Sequence, residues 1–503
     1  MSHRHKRRPP PRAQAQTLAV QPHVSRRRLV RARYDAAQTT DENRNHWLQA
    51  DSLSAAAAGN PFVRRTIRNR ARYEVANNSY ARGIVLTLAN YVIGTGPRLQ
   101  MLTDFPDANA MIETEFARWS DAIGLPQKLR TMRMAKAQDG EAFALLINNE
   151  RVDSPVRLDL RLIEADQIST PNLMLDKPNA IDGIVFDEFG NPAEYHILKS
   201  HPGSNMPGSA GDYTPVPASS MLHWFRCDRP DQWRGLPDIL PALPLFAQLR
   251  RYTLAVLGAA EIAANTGVIF HTPLPPDTQL PTGTGEDGKW GGEEMDFPRN
   301  VAMFAPEGFT PFQMKAEQPS TTHDMFVKAV LNEIARCLNM PYNIAACNSS
   351  GYNYASGNLD HQLFFKAVQV EQGQCQNVVL NRVFAAWLAE ALQVLGLRSL
   401  ADSSHQWFWD GLAHVDPMKE AAAQAQRLTS HTTTLAHEYA RQGKDWETEL
   451  HQRAKEIELM KELGLTPAAV APAAPAAEQN QDQENQDGPD GVGTDKEADR
   501  EAA

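Results

Sequence analysis

Gly283-Thr284-Gly285-Glu286-Asp287-Gly288-Lys289 comes nearest to nucleotide chemistry in this chain, because it satisfies both G-x-G-x-x-G and the G-x-x-x-x-G-K part of a phosphate-binding loop. Such a loop holds phosphate on backbone N–H groups and needs a Ser or Thr after the Lys to hold Mg²⁺. Trp290 stands there instead. Glu286 and Asp287 would repel phosphate, while Pro281 and Gly291-Gly292 deny the strand-to-helix setting. The stretch reads as a glycine-rich loop. Hydrolytic chemistry has no better footing: the histidines form no H-E-x-x-H, and no G-x-S-x-G elbow occurs. His437-Glu438 lacks a second histidine four residues after the first and, with His431, reads as a solvated helix face. His405 to Trp409 (HQWFW) could stack unpaired bases, but with no Arg or Lys beside it the segment reads as core. Cys227, Cys337, Cys347 and Cys375 lie far apart with no C-x-x-C, which suggests neither a zinc cluster nor a disulfide framework and fits a reducing, cytoplasmic setting. No catalytic, cofactor-binding or metal-binding residue is assigned, and the chain is not read as an enzyme.

The elements that carry these residues follow from periodicity. Residues 61–91 read as one helix with Asn60 as N-cap and Pro61 at its first position, stopped by Gly94-Thr95-Gly96-Pro97. Arg64, Arg65, Arg68, Arg70 and Arg72 spread over more than one face of it, and a solvated or inter-subunit role is favoured over DNA readout. Helices are expected over 108–121 and on to Gln138. Val156, Leu158, Leu160 and Leu162 then alternate with charged residues, the period of a half-buried strand. Ile184–Phe186 and Tyr195–Leu198 form a hairpin, and 201–217 is a loop, so a β-rich unit of about 140–227 sits between helices. Helix returns from Pro237 to about Asn265 and again from Thr322, where Phe326, Val330, Ile334 and Leu338 recur every fourth residue. The Pro/Gly-rich stretch 271–300 is a long connection or small loop-rich unit. Polar, aperiodic residues 343–358 separate the second of these helices from a long one over 359–395. Two further helices begin at Asp416-Pro417 and Asp445, with Gly464 as the stop of the second.

At 503 residues there is room for about three packed units. Lys and Arg number 50 against 60 Asp and Glu, a net charge of −10 that argues against a basic coat for nucleic acid. The charge is segregated. Residues 1–33 carry ten Lys/Arg and no acid, residues 467–503 nine acids against two bases, and the body between them 38 bases against 51 acids, net −13. Both ends read as disordered segments, the basic one an arm for nucleic acid or an acidic protein, or a solubilising extension. No secretory signal is expected at the N-terminus. The longest apolar stretch, 254–270, is broken by Glu261 and Asn265 and is too short for a membrane span, so a soluble protein is expected.

The order of several segments is similar to portal proteins of tailed bacteriophages, lambda family. The run ARYEVANNSYARGIVLTLANYVIGTGP (71–97) resembles their N-terminal signature. Asp139-Gly-Glu-Ala-Phe143, Leu162-Ile-Glu-Ala-Asp166, the hairpin around Gly183 and Gly190, HWFRCDRPDQWRGLP (223–237), Met340-Pro-Tyr342, Asn353-Tyr-Ala-Ser356, Val415-Asp-Pro417 and Gly443-Lys-Asp445 follow in the family's order. The resemblance spans about 60–465. One departure is Ala355-Ser356-Gly357-Asn358, where many members carry a second Ser and then an Arg, so a role for that Arg does not transfer.

The resemblance implies an α+β portal fold, assembled as a ring of about twelve copies at one capsid vertex. Double-stranded DNA would be packaged and ejected through it without sequence specificity. It implies a wing over 41–235, stem helices over 236–267 and 316–342, and a clip over 268–315. In the clip, Lys289, Trp290, Phe297 and Arg299 would dock the terminase large subunit and the head–tail connector. A tunnel loop over 343–358 would face DNA through Asn348, Ser349, Ser350, Tyr352, Asn353, Tyr354 and Ser356. A long helix returns to the wing over 359–410, crown helices occupy 411–466, and the 1–40 arm and 467–503 tail lie outside. The implied place is the virion's portal vertex, reached from the host cytoplasm during assembly, with the major capsid or scaffold protein as a further partner and no membrane. An acidic body suits a conduit, since each phosphate neutralised adds affinity and would hold DNA fast. The competing readings are a nucleotide-driven packaging enzyme and an assembly scaffold or adaptor without a channel.

Overall fold

The structure, a computed structural model, describes residues 41, 43–170, 179–204, 212–265, 269–271, 310–312, 323–396, 403–411 and 417–465. The basic arm, the acidic tail and all four clip residues named above lie outside them. The chain separates after Ser54 into two units. The described part of the first is a run of turns and extended chain with Trp47, Leu48 and Leu53 exposed.

The second unit opens with α1 (Ala55–Ala58), α2 (Pro61–Asn77) and α3 (Ser79–Val92). Asn60 caps α2 as expected, its side chain accepting from Val63 N with Pro61 at the first position. The single helix expected over 61–91 is in fact two. Asn78 takes an extended conformation, its Oδ1 accepts from Tyr80 N and Ala81 N, and it starts α3 as a cap, the local competition with helix that Asn favours. Next come β1 (Arg98–Met101), α4 (Pro106–Ile123) and α5 (Leu125–Asp139), the last two divided by left-handed Gly124.

The β-rich unit holds β2 (Glu141–Asn148), β3 (Leu158–Ile163), β4 (Ala180–Ile181), β5 (Ile184–Phe186), β6 (Pro192–Leu198), β7 (Tyr213–Pro217) and β8 (Met221–Phe225). One antiparallel sheet has the order β3-β2-β8, with Phe143 opposite both Ile163 and His223. A second has the order β4-β5-β6-β7. The expected hairpin is β5-β6. The loop expected over 201–217 closes instead on β7, which pairs with β6 from Leu198↔Tyr213 to Glu194↔Pro217.

Thereafter come α6 (Leu243–Asn265), the pair β9 (Ile269–His271) and β10 (Thr310–Phe312), α7 (His323–Arg336) and α8 (Tyr342–Ala345). A continuous helical run then comprises α9 (Tyr354–Cys375), a π turn (Gln376–Leu380) and α10 (Asn381–Val394). Strand β11 (His405–Phe408) pairs with β1, returning the chain to its start. HQWFW is therefore core: Trp407 and Phe408 are buried, and Trp407 Nε1 donates to Asn381 Oδ1 at 2.9 Å. The described residues end in α11 (Pro417–Thr429), α12 (Leu435–Arg441) and α13 (Trp446–Glu462), with Asp445 capping α13 and Gly464 left-handed beyond it. Helix α12, capped by Thr434, was not expected. It corrects part of the His437 reading: His431 and His437 are exposed, but Glu438 is buried against Arg427 at 2.9 Å.

The main core joins α3, α4, α5, α10 and β11, with Phe116, Trp119, Phe384 and Trp387 in ring contact at its centre. A second core of Phe143, Ile163, Ile184, Tyr195 and Ile197 lies between the two larger sheets. Among the described residues no helix is long and apolar enough to cross a membrane.

Candidate functional site

Three of the five arginines on α2 do something the sequence reading did not foresee. Arg64, Arg68 and Arg72 are four residues apart and so share one helix face. That face turns inward. Arg64 pairs with Asp182; Arg68 reaches Asp166 at 2.7 Å and Glu141 at 3.2 Å; Arg72 reaches Asp139 at 2.7 Å and Asp166 at 2.8 Å. Arg234 completes the set, gripping Glu141 with two nitrogens at 2.6 and 2.8 Å and Asp182 at 3.1 Å. Four guanidiniums thus meet four carboxylates, and the solvated or inter-subunit role is corrected for these three. Arg65 and Arg70, on other faces, are exposed.

Glycine makes this meeting possible. Gly140 has φ +93°, and a Cβ there would lie 2.5 Å from the Leu236 backbone carbon; one on Gly235 would lie 2.0 Å from Gly140 O. The two backbones touch, which brings Glu141 beside Arg234 and lets Gly235 N donate to Glu141 Oε2 at 3.1 Å. His223, stacked on Phe143 and Phe225 at 4.2 and 4.4 Å, lies 3.2 Å from Glu141 through Nε2. Burial opposes the Glu141 carboxylate, but Arg234 and the His223 and Arg234 hydrogen bonds outweigh it and hold the group well below the usual carboxylate range. Burial pushes the His223 imidazole down, so the neutral ring is favoured. Burial also lowers the Arg64 guanidinium to about 9, with Arg234 and Arg68 adding repulsion.

A second buried cluster anchors the long helix. Glu371 on α9 lies between Arg133, at 2.9 Å, and Lys136, both on α5; Arg133 also reaches Asp238 at 3.0 Å, and Arg226 reaches Asp238 at 3.1 Å. Burial would raise the Glu371 carboxyl, but Arg133 and Lys136 hold it below its ordinary value. The π turn begins one helical turn beyond, past buried Cys375.

Glu164, Asp166 and His201 place ligand-type atoms within 4.8 Å of one another. Asp166 is already paired with Arg68 and Arg72, whose charges oppose a cation there. Among the described residues these carboxylates serve the arginine network.

The aperiodic stretch 343–358 is narrower than expected. Helix α8 occupies its start, and Asn353 caps α9 by accepting from Ser356 N at 2.8 Å, so Tyr354 and Ser356 belong to the first helical turn. What remains is a connection over 346–353. Asn348, Ser349, Ser350 and Asn353 are exposed, whereas Tyr352 is half-buried with its ring near Lys328 Nζ of α7. Tyr352 and Asn353 border a cleft of about 1140 Å³ that runs past His361 and Trp407 to Lys419 and Arg441.

The chain matches the model of phage portal proteins, lambda family, over residues 41–372. It belongs to that family. A curated relative, the probable portal protein of Halomonas phage phiHAP-1, is 26% identical over 433 residues, 80% of this chain and 81% of that one. Solved structures that resemble it include the neck of an empty gene transfer agent particle computed with C6 symmetry (TM-score 0.42, 12% identity, 73% of this chain and 91% of that one). Another is the neck of the native particle computed with C12 symmetry (TM-score 0.41, 12% identity, 76% and 94%). In this portal chain four of the segments carrying the resemblance converge: Asp139-Gly-Glu141, Glu164-Ala-Asp166, His223 and Arg234-Gly235 all meet in the arginine–carboxylate network. Those four segments therefore brace the fold.

Proposed function

We propose that this portal chain assembles as a closed ring of about twelve copies at one capsid vertex, and that double-stranded DNA passes through the ring during packaging and ejection. The observation that carries this reading is the lambda-family portal match over 41–372. In the same reading, residues 268–315 dock the terminase large subunit and later the head–tail connector, and the capsid or scaffold protein receives the ring during assembly in the host cytoplasm. ATP hydrolysis belongs to the terminase. The wing, stem, tunnel-loop and crown boundaries expected from the sequence stand as part of this proposal, with the tunnel loop shortened to 346–353.

Apolar side chains left in solvent support a ring. On α9, Phe364 and Val368 turn into the core, while Leu359, Leu363 and Val370 form a second stripe, spaced four and seven apart and 55–66% exposed. Leu254 and Leu257 on α6 and Met325 and Phe326 on α7 are exposed by half or more. A helix apolar on two sides and buried on one awaits another surface, and a copy of the same chain supplies it in a cyclic assembly. Native mass spectrometry or electron micrographs of the purified chain test the reading: closed rings of about twelve copies are expected, and a persistent monomer at high concentration overturns it.

A further inference from the structure

The connection between α8 and α9 is tied locally at nearly every residue. Cys347 adopts the left-handed conformation (φ +52°) just past α8, and Asn348 N donates back to Asn343 O at 3.0 Å, the pattern that usually takes Gly at that place. Ser350 N donates to Asn348 Oδ1 at 2.9 Å, Tyr352 N to Ser349 O at 3.2 Å across left-handed Gly351, and Asn353 caps α9. These bonds shape the loop without fixing where it points. Side-chain ties do that. Asn343 and His361 join α8 to α9 at 2.8 Å. Lys328 of α7 holds its ammonium 5.2 Å from the Tyr342 ring centroid and 6.0 Å from that of Tyr352.

We infer that Lys328 is a positioning residue for this loop: its ammonium, shared between the Tyr342 and Tyr352 rings, draws Tyr352 against α7 and leaves Asn348, Ser349 and Ser350 as the outward groups. The position along the chain suits such a role. Tyr342 opens the helix before the loop and Tyr352 stands at its far end, so one cation on a neighbouring helix spans both hinges. Lys328 is itself exposed, and a cation–π contact in water is a weak tie. A weak tie suits a loop that must swing while a long polymer moves past it, which is where the inference rests on the channel reading.

Hydrogen exchange on the purified full chain, read by mass spectrometry for peptides covering 346–353, tests this with Lys328→Gln and Lys328→Arg. Removing the cation is expected to speed exchange in the loop about fivefold, the population shift two exposed cation–π contacts provide. Lys328→Arg keeps the cation and should stay within about twofold of the parent. Peptides from α10 should be unchanged in both. Equal loop exchange in Lys328→Gln and the parent overturns the inference, as does an equal rise in α10, or an arginine variant that behaves like glutamine. If Lys328→Gln does not fold, Tyr352→Leu removes the other side of the contact and must give the same loop-specific rise. Exchange is measurable in monomer or ring, so loss of the ring reading and loss of the clamp give separate results.

Discussion

Leu363 and Trp387 lie on one unbroken helical run, and their surroundings are opposite. Leu363 is 65% exposed; Trp387 is fully enclosed, with Phe116 at 5.2 Å and Phe384 and Trp119 within 6.3 Å. Between them sit the Glu371 cluster and the π turn, a backbone irregularity that shifts the helix face by one residue. The lower half, α10, places Val383, Phe384, Trp387, Leu388 and Ala391 on one buried face. The upper half, α9, has apolar groups on two sides and a core on one. Along this helical run, the apolar face is thus covered below Glu371 and only partly covered above it. Apolar content alone does not separate the halves; what separates them is whether this chain covers the apolar surface.

The sharpest test of that boundary is the boundary residue. Glu371→Ala leaves Lys136 buried without a carboxylate and Arg133 with Asp238 alone, and should cost about 3 kcal/mol or more, read as a fall in the denaturant midpoint. A cost below about 1 kcal/mol would mean that the cluster does not anchor the helix. Close to it in size, Trp387→Ala opens a cavity at the centre of the aromatic core and should cost about 3 kcal/mol or more. If Trp387→Ala costs no more than Leu363→Ala, the two halves are energetically alike and the comparison fails.

Acid should act on the fold through its two buried ion networks. Glu141, Asp166 and Glu371 have folded values below their ordinary ones, so the unfolded chain takes up protons first. Their stabilisation is complete above about pH 4.5 and is lost as pH falls through the folded values. His223 acts with the same sign at higher pH: its lowered folded value means that, below about 6.5, the unfolded state binds a proton the folded state refuses. Stability should therefore decline by up to about 1.4 kcal/mol per pH unit as pH falls below about 6.5, and His223→Gln should flatten that part of the profile. An unchanged slope in the variant would remove His223 from the account.

Much of the fold was legible from residue order. Asn60-Pro61, Gly124 and Gly464 mark helix ends by backbone chemistry that acts within a few residues, and the alternation at 158–162 reports the buried face of β3 directly. The β-rich unit between helices followed from the same signals. Asn78 was missed because a side chain that caps and one that merely rides a helix look alike in sequence. The arginine network was missed because Arg64, Arg68 and Arg72 meet partners at 139, 141, 166 and 182, on elements whose packing no local pattern reveals. One signal was available: arginines spaced by four share a face, and the motifs carrying the family resemblance supply unpaired acids. At the loop, composition marked a polar connection but could not show that Tyr352 turns back to Lys328, a contact made between the loop and a helix distant in sequence.

The smallest expected change on folding is also the one that bears most on assembly. Leu363→Ser removes an apolar side chain that is already in water and should alter the protomer's denaturant midpoint by no more than about 0.5 kcal/mol. The same substitution puts a hydroxyl into the stripe formed with Leu359 and Val370, where burying it without a partner costs about 1–3 kcal/mol per interface. In a closed ring that cost recurs at every contact between copies, so a change almost invisible in the isolated chain should shift the oligomer distribution far toward monomer. Sedimentation velocity at matched concentrations separates the two effects. Rings at parent yield, with an unchanged denaturant midpoint, would show that this face of α9 meets no other copy, and the partly covered half would need a different partner.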